Sequence, residues 1–521
     1  MDPGEVSEDQ PRRRRRRRSS SSRNSGSSRS REAGESRALS IDVRQMAGQI
    51  GGLVVFGLFF LLVVAAPIPM GGNRDWAWAP MVVVIGILVL LCALGLAGRE
   101  GLWVRTEEST PLLVLIVCFL VFVAVVVLQM SGFAPATASS AFYARAGELL
   151  HETVIPVPTL AVDVTRDALL KCLGCAAMFM IARVLFHDPR WARLLLAVFV
   201  FSAAIVMTYA VYMAVATHSC YLGSYLKKEG GYIPATDHCL MSGTFVGSNN
   251  FGCFCGMALV AALALLFDSR SGRREQETLE YGEEPNPIAE WFSGRRVTAA
   301  AFSLFFLGGL LLSASRAGAA ATVIGIMALA ALLLRGRSRQ ARRWAMISGI
   351  VVGVFILILA GGVFLQKSSR LFDVGNLNRV VIWKVSLAAF AQSPWIGWGL
   401  GNYADIYTVH QPITITLPND KAHSTPIEFL VEVGLIGGVP AIAACLIPWG
   451  VCFLGGLRGR RQRLLPAAAF AIAGVAILHS TIDFSLQMPA IGFVVSAFLG
   501  LGWAQAFSPT EKSQRTFATD R

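Results

Sequence analysis

Three residues in this 521-residue sequence have the types and settings to act on a phosphate ester: Arg316, Arg379 and His423. Guanidinium groups bind phosphate through paired, charge-assisted hydrogen bonds. His423 stands just before Thr425-Pro426-Ile427-Glu428, which reads as a capping box: Thr at the cap, Pro at the first helical position and Glu at the third. The start of a helix exposes unpaired N–H groups and a partial positive charge. An anion is welcome there, and a nearby imidazole stays neutral and able to accept a proton. Two arginines, a helix N-terminus and one histidine suit a diphosphate leaving group and a hydroxyl nucleophile.

The surroundings of these residues are specific. Arg379 opens a segment, Asn376 to Phe390, in which Val380, Trp383, Leu387 and Phe390 share a helical face. That predicts an amphipathic helix lying at a membrane interface, stopped before Pro394 and followed by the turn Gly397-Trp398-Gly399-Leu400-Gly401-Asn402. Arg316 sits in the tight turn Ser313-Ala314-Ser315-Arg316 between two apolar helices, where an arginine is expensive and usually functional. Each residue also has a structural reading. Arg316 can snorkel from a helix end, Arg379 can anchor an interface, and His423 can be an ordinary loop histidine. Asn249 and Asn250 can cap a helix, and Asp483 can cap a turn.

The elements that must position them are membrane spans. Hydrophobic residues make up 54% of the sequence and charged residues 15%, with a mean hydropathy of +0.56; soluble domains carry nearer 25% charge. Apolar runs long enough to cross a hydrocarbon core of about 30 Å recur throughout. The expected fold is all-α, a polytopic bundle of about twelve spans near 47–66, 81–97, 111–130, 168–186, 194–217, 250–267, 298–314, 317–334, 346–365, 427–454, 464–480 and 487–507. Alternating barrel strands are absent from the pattern.

The net charge of +13 is concentrated, with twelve arginines within residues 1–46. This Arg- and Ser-rich stretch is expected to be a disordered cytoplasmic tail that favours anionic lipid headgroups, not nucleic acid. With both termini cytoplasmic, loops 98–110, 187–193, 268–297, 335–345 and 455–463 hold eighteen basic residues and the longer opposite loops eleven. That asymmetry obeys the positive-inside rule. The outward loops, above all 366–426, then carry the chemistry, with 47–507 as the membrane domain and 508–521 as a second cytoplasmic tail. No nucleotide or metal motif is visible, so neither cofactor nor metal is expected. Eight of the ten cysteines fall in apolar runs as small buried hydrophobes. Cys220 and Cys239 share one outward loop, where a disulfide is open to them if the loop is periplasmic.

The motifs resemble the O-antigen ligase and O-antigen polymerase superfamily, whose members have a GT-C-like membrane fold. His423-Ser424, nine residues, then Gly434-Leu435-Ile436-Gly437 is similar to the ligase pattern His-(Asn/Ser/Gln)…Gly-x-x-Gly, with Val433 where a small residue is common. Ser313-Ala314-Ser315-Arg316 resembles the family's Ser-x-Ser-Arg, and Arg379-Val380-Val381-Ile382-Trp383…Pro394…Gly397-Trp398-Gly399 its Arg-x-x-x-Trp…Pro…Gly-x-Gly. Val157 to Asp167 is reminiscent of its loop before the fourth span. The likeness is strongest over 302–440. It implies metal-independent inverting glycosyl transfer at the outer face of a bacterial inner membrane. The implied donor is a glycan on undecaprenyl diphosphate, and the acceptor a lipid A core or, in a polymerase, a growing glycan. It makes Arg316, Arg379 and His423 catalytic, and adds Trp383, Asn249 and Glu428 as substrate-binding residues. A protein-glycosylating relative shares the donor. A transporter is the contrasting reading, disfavoured because the polar groups gather at one side of mostly charge-free spans.

Overall fold

The computed structural model describes residues 50–95, 106–133, 140–216, 240–268, 294–335, 338–340, 375–413, 419–458 and 463–508, with isolated positions between 343 and 358. They form helices and no strands. In chain order these are α1 (Ile50–Ala65), α2 (Asp75–Ala93), α3 (Thr106–Gln129), α4 (Ser140–Leu150), α5 (Val162–Leu185), α6 (Pro189–Ala216) and α7 (Ser248–Leu266). Then come α8 (Gly294–Leu312), α9 (Arg316–Leu333), α10 (Gly375–Gln392), α11 (Tyr403–His410), α12 (Thr425–Leu457), α13 (Leu464–His479) and α14 (Pro489–Ala506). Nine are long and apolar enough to cross a membrane, and α1 and α13 are shorter apolar helices. Eleven expected spans therefore have a helix. The twelfth, 346–365, lies almost wholly outside the described residues, as do Cys220, Cys239 and the basic tail.

The bundle centres on α7, α13 and α14. Small residues let these helices approach closely, which is how helices associate without a hydrophobic drive between them. A Cβ on Gly256 of α7 would meet Thr322 of α9, and one on Gly325 of α9 would meet Val475 of α13. The tenth residue of α14, Phe498, packs edge-on to Phe199 of α6 at 5.2 Å.

Polar contacts gather at the two ends of the bundle. At one end, Thr244 Oγ1 donates to the Pro67 carbonyl, Met241 N to Leu312 O, Thr159 N to Gln129 O and Thr425 N to Ser480 O. At the other, Arg193 pairs with Asp268 at 2.7 Å, Gln505 Nε2 donates to the Phe186 and His187 carbonyls, and Arg463 reaches the Arg335 carbonyl. The described parts of the basic loops fall at this second end.

Two of the spans share a buried ion pair near this second end. Arg183 of α5 makes two hydrogen bonds to Glu108 of α3, the closer at 2.6 Å, and Trp503 Nε1 donates to the same carboxylate at 2.8 Å. Glu108 and Arg183 are 0% and 2% exposed. Glu108 lies within α3, before the expected Pro111, and is satisfied within the protein.

Candidate active site

The site end is built on a break in α12. Gly434 has φ +63° and ψ −167°, so the helix that starts at Thr425 is interrupted after nine residues. A side chain at Gly434 would collide with the backbone of Trp395 and Ile396, and one at Gly397 with the backbone of Glu432. Only glycine combines that left-handed φ with so close an approach. Across the break, Trp398 N donates to Val431 O, Gly399 N to Glu432 O, Leu435 N to Pro394 O and Ile436 N to Trp395 O. The carbonyls and N–H groups released by the break are thus taken up by the glycine-rich turn. Gln129, at the end of α3, donates to the Ile396 and Glu432 carbonyls at 2.6 and 2.7 Å and accepts from Leu400 N. Gly437 lets Val125 of α3 approach. The glycine turn and the Gly-x-x-Gly pair are two halves of one joint.

On this joint stands a small second core formed by α10, α11 and the start of α12. Its members include Ile382, Val385, Ala389, Trp398, Tyr403 and Val431. The buried stripe of α10 is therefore Ile382, Val385, Ser386 and Ala389, while Val380 and Leu387 are exposed. The face of Val380, Trp383, Leu387 and Phe390 is adjacent to that stripe: Val380 and Leu387 are exposed, while Trp383 and Phe390 are partly buried against the second core. Ser386 and Tyr403 share a hydrogen bond of 2.6 Å, and burial pushes the Tyr403 hydroxyl well above its usual range.

The capping box is also corrected. The cap is Ser424, without a side-chain bond, and Thr425 is already helical. Glu428, 2% exposed, instead accepts from Ala422 N at 2.9 Å and pairs with Lys421 Nζ at 3.1 Å. Trp383 Nε1 donates to Ala422 O at 2.9 Å. Both polar groups of Ala422 are thus pinned, one by Glu428 and one by α10, and His423 is held between this anchor and Thr425. Its backbone lies at φ +49°, a conformation uncommon for a non-glycine residue and frequent at functional sites.

The centre of the cluster is Asp483, in the short connection between α13 and α14. Its side chain is 1% exposed. Asn249 Nδ2 of α7 donates to Oδ2 at 2.7 Å, and Phe484 N donates to Oδ1 at 2.8 Å. Arg379 Nη2 lies 3.6 Å from Oδ2 and His423 Nδ1 3.7 Å from Oδ1. Burial works against the charge on Asp483, but His423, His479 and the Phe484 N–H outweigh it and hold the carboxyl below its usual range. Every neighbour is a donor or a cation, so the group is set up to be an anion. The His423 ring packs edge-on to Phe484 at 5.4 Å. Behind Asp483, Ser485 Oγ bonds His479 Nδ1 and donates to Asn250 Oδ1, both at 2.8 Å.

His423 and Arg379, 44 positions apart in sequence, therefore meet at opposite oxygens of one carboxylate, and Asn249 joins them. Arg316 opens α9, with its side chain exposed. The turn before it, Ser313 to Ser315, packs on Gly252, three residues along α7 from Asn249. That places the Arg316 turn about one helical turn from the Asp483 cluster. Glu428 and Trp383 hold the backbone that carries His423. Sequence reasoning treated Asp483 as a turn cap and did not single out His479, Gln129 or Glu432. The available signal was an acid in a short outward loop, next to a charge-free span.

Among the described residues no group of three or more His, Cys, Asp or Glu side chains is arranged to hold a metal ion. Residues 301–442 match the family model described as O-antigen ligase (Wzy_C). No curated protein matches the chain. The matched stretch carries Arg316, Arg379, the glycine turn, His423 and the broken helix, and the family's members are glycosyltransferase-like enzymes acting on lipid-linked glycans. The chain is an all-α multi-pass membrane protein that is similar to the O-antigen ligase family over residues 301–442.

Proposed function

We propose that the protein is an O-antigen ligase-like glycosyltransferase. It moves a glycan from undecaprenyl diphosphate to a hydroxyl of a lipid A core, at the periplasmic face of a bacterial inner membrane. The end bearing Asp483 faces the periplasm and the arginine-rich loops face the cytoplasm. The observation that carries the reading is the meeting of His423 and Arg379 on the buried Asp483 carboxylate.

The chemistry is a single displacement at the sugar's anomeric carbon. Asp483 lies 3.7 Å from Nδ1 of His423, close enough to stabilise the ring as it gains charge, which leaves Nε2 to take the proton of the acceptor hydroxyl. The acceptor oxygen bonds to the anomeric carbon as the bond to the diphosphate breaks, inverting that centre. Arg379, with one side on Asp483, and Arg316, at the start of α9, offset the charge that grows on the departing diphosphate. The positive end of α12 favours the same anion. No metal has a role in these steps.

A polymerase that extends a glycan uses the same donor and differs in its acceptor. The His-Ser…Gly-x-x-Gly pattern favours the ligase. The test is the full-length protein in proteoliposomes with a purified lipid-linked donor, offered either lipid A core or a second lipid-linked glycan. Transfer to core that is lost in His423→Ala and Arg379→Ala is expected. Transfer only to the second glycan makes it a polymerase, and unchanged turnover in both variants would remove the site assignment.

A further inference from the structure

Lys171 is an ion inside a membrane span whose charge has no use in the chemistry above. It is the tenth residue of α5, about 13 Å along the axis from Val162 at 1.5 Å per residue. The side chain is half-buried. Its ammonium lies 4.7 Å from the centre of the Trp78 ring. Trp78, 4% exposed, stands in the first turn of α2, at the same end of the bundle as Asp483, and donates its indole N–H to Asp75 at 2.9 Å. Among the described residues no carboxylate lies within ion-pair distance of Lys171. The charges that act on it are those of Asp75, Asp167 and a second cation, Lys421. Lys421 lies in the loop that carries His423, and is itself committed to Glu428.

An ammonium at this depth, facing an aromatic ring and with no anion of its own, is costly unless something completes it. A cation–π contact attracts the ammonium but leaves its charge unneutralised. A buried Arg183 shows how this bundle treats a purely structural cation: it is given two bonds to Glu108. Lys171 is treated differently.

We propose that Lys171 is an anion-binding residue that takes a phosphate group of a lipid substrate, with the Trp78 ring as the wall behind its ammonium. The proposal rests on the reading that the substrates are phosphate-bearing lipids. Two substrates can supply the phosphate: the polyprenyl diphosphate donor and a phosphorylated lipid A acceptor.

The test is direct binding by the full-length purified protein, compared with Lys171→Met and Lys171→Arg. One arm uses geranyl diphosphate, with geraniol as the phosphate-free control, and the other uses lipid A. Without ligand, Lys171→Met should unfold at the same temperature as the wild type or higher, since a lone cation has been removed. With ligand it should bind about tenfold more weakly in one arm, and Lys171→Arg should recover most of the loss. The arm that responds identifies the source of the phosphate. Equal binding by the wild type and Lys171→Met in both arms, no wild-type binding in either, or a lower unfolding temperature for Lys171→Met without ligand overturns the proposal. Turnover that depends on His423 while binding ignores Lys171 would overturn this inference and leave the proposed function standing.

Discussion

Asp483→Asn is the substitution that bears most on the proposed mechanism. It keeps the shape of the side chain and removes its charge. At an effective dielectric near 20, a unit pair at the 3.6 Å separation of Arg379 and Asp483 is worth about 4–5 kcal/mol before desolvation, and a protonated His423 at 3.7 Å about the same. Both partners are about 30% exposed, so screening and desolvation reduce the net value to about 1.5–3 kcal/mol each. The amide adds a second fault. Asn249 and Phe484 donate to different oxygens of Asp483, and asparagine has only one oxygen to offer. One buried donor is left facing an NH2, at a cost of about 1–3 kcal/mol. Loss of about 3–4 kcal/mol of orientation corresponds to a drop of about 10²–10³ in kcat/KM. The assay is glycan transfer in proteoliposomes for Asp483→Asn, Arg379→Met and the double variant. The double variant should fall well short of the product of the two single losses, because both act through one carboxylate. A kcat/KM within threefold of wild type in Asp483→Asn, or additive losses in the double variant, would refute the reasoning.

Other outcomes follow from the same contacts. Gly434→Ala should abolish transfer and lower the unfolding temperature, since the added methyl meets the Trp395 backbone at a positive φ; a fully active, equally stable variant would show that the joint is not required. Asp483 titrates below its unfolded value of about 3.9, so its stabilisation is complete above that pH and is lost as pH falls through the lower folded value. Unfolding scans from pH 3 to 7 should show an acid limb in the wild type that is diminished in Asp483→Asn. Lys421 behaves in the opposite sense. Burial lowers its pKa, but Glu428 and Glu432 outweigh that and raise it, so its contribution is complete below about pH 10.4 and lost as pH rises through the folded value. Lys421→Met, which leaves Glu428 without its cation, should lose about 3 kcal/mol at neutral pH, read by thermal unfolding. Arg183→Met should cost about 3–5 kcal/mol by stranding Glu108, and adding Glu108→Gln should recover part of it.

How much of this was readable from the sequence depends on the range of the forces involved. Lipid forces each crossing segment to satisfy its own backbone, so hydropathy alone locates the helices. Eleven expected spans coincide with α1 to α3, α5 to α9 and α12 to α14. The ends were harder. Glu108 belongs to α3 only because Arg183 and Trp503, 75 and 395 positions away, neutralise it, and nothing local announces that. Arg379 and His423 carried a local signal in their motifs, Arg379-Val380-Val381-Ile382-Trp383 and His423-Ser424 ahead of Gly434-Leu435-Ile436-Gly437. Asp483 carried one too, but a single acid after a span reads as a turn residue until Asn249, Arg379 and His423 from other segments are in place. Two apolar stripes exist on α10, and only the second core decides which of them is buried. The capping box failed because Glu428 found Ala422 N and Lys421 rather than the cap.

The joint at Gly434 explains why two motifs separated by more than thirty positions belong together. A helix that ran unbroken past Gly434 would use the carbonyls of Val431 and Glu432 itself and leave neither for the turn at 397–399 to bind. The break frees the carbonyls of Val431 and Glu432, and the turn that collects them also fixes the end of α10, where Ser393 Oγ donates to Gly397 O and Trp398 Nε1 to Ala389 O. Arg379 rides on α10 and His423 on the start of α12, so one joint sets the distance of both from Asp483. Gln129 ties that joint to α3, and through the Glu108–Arg183 pair α3 is tied to α5 at the other end of the bundle. The reacting groups are thus held by the bundle along its whole length, although they sit in its loops.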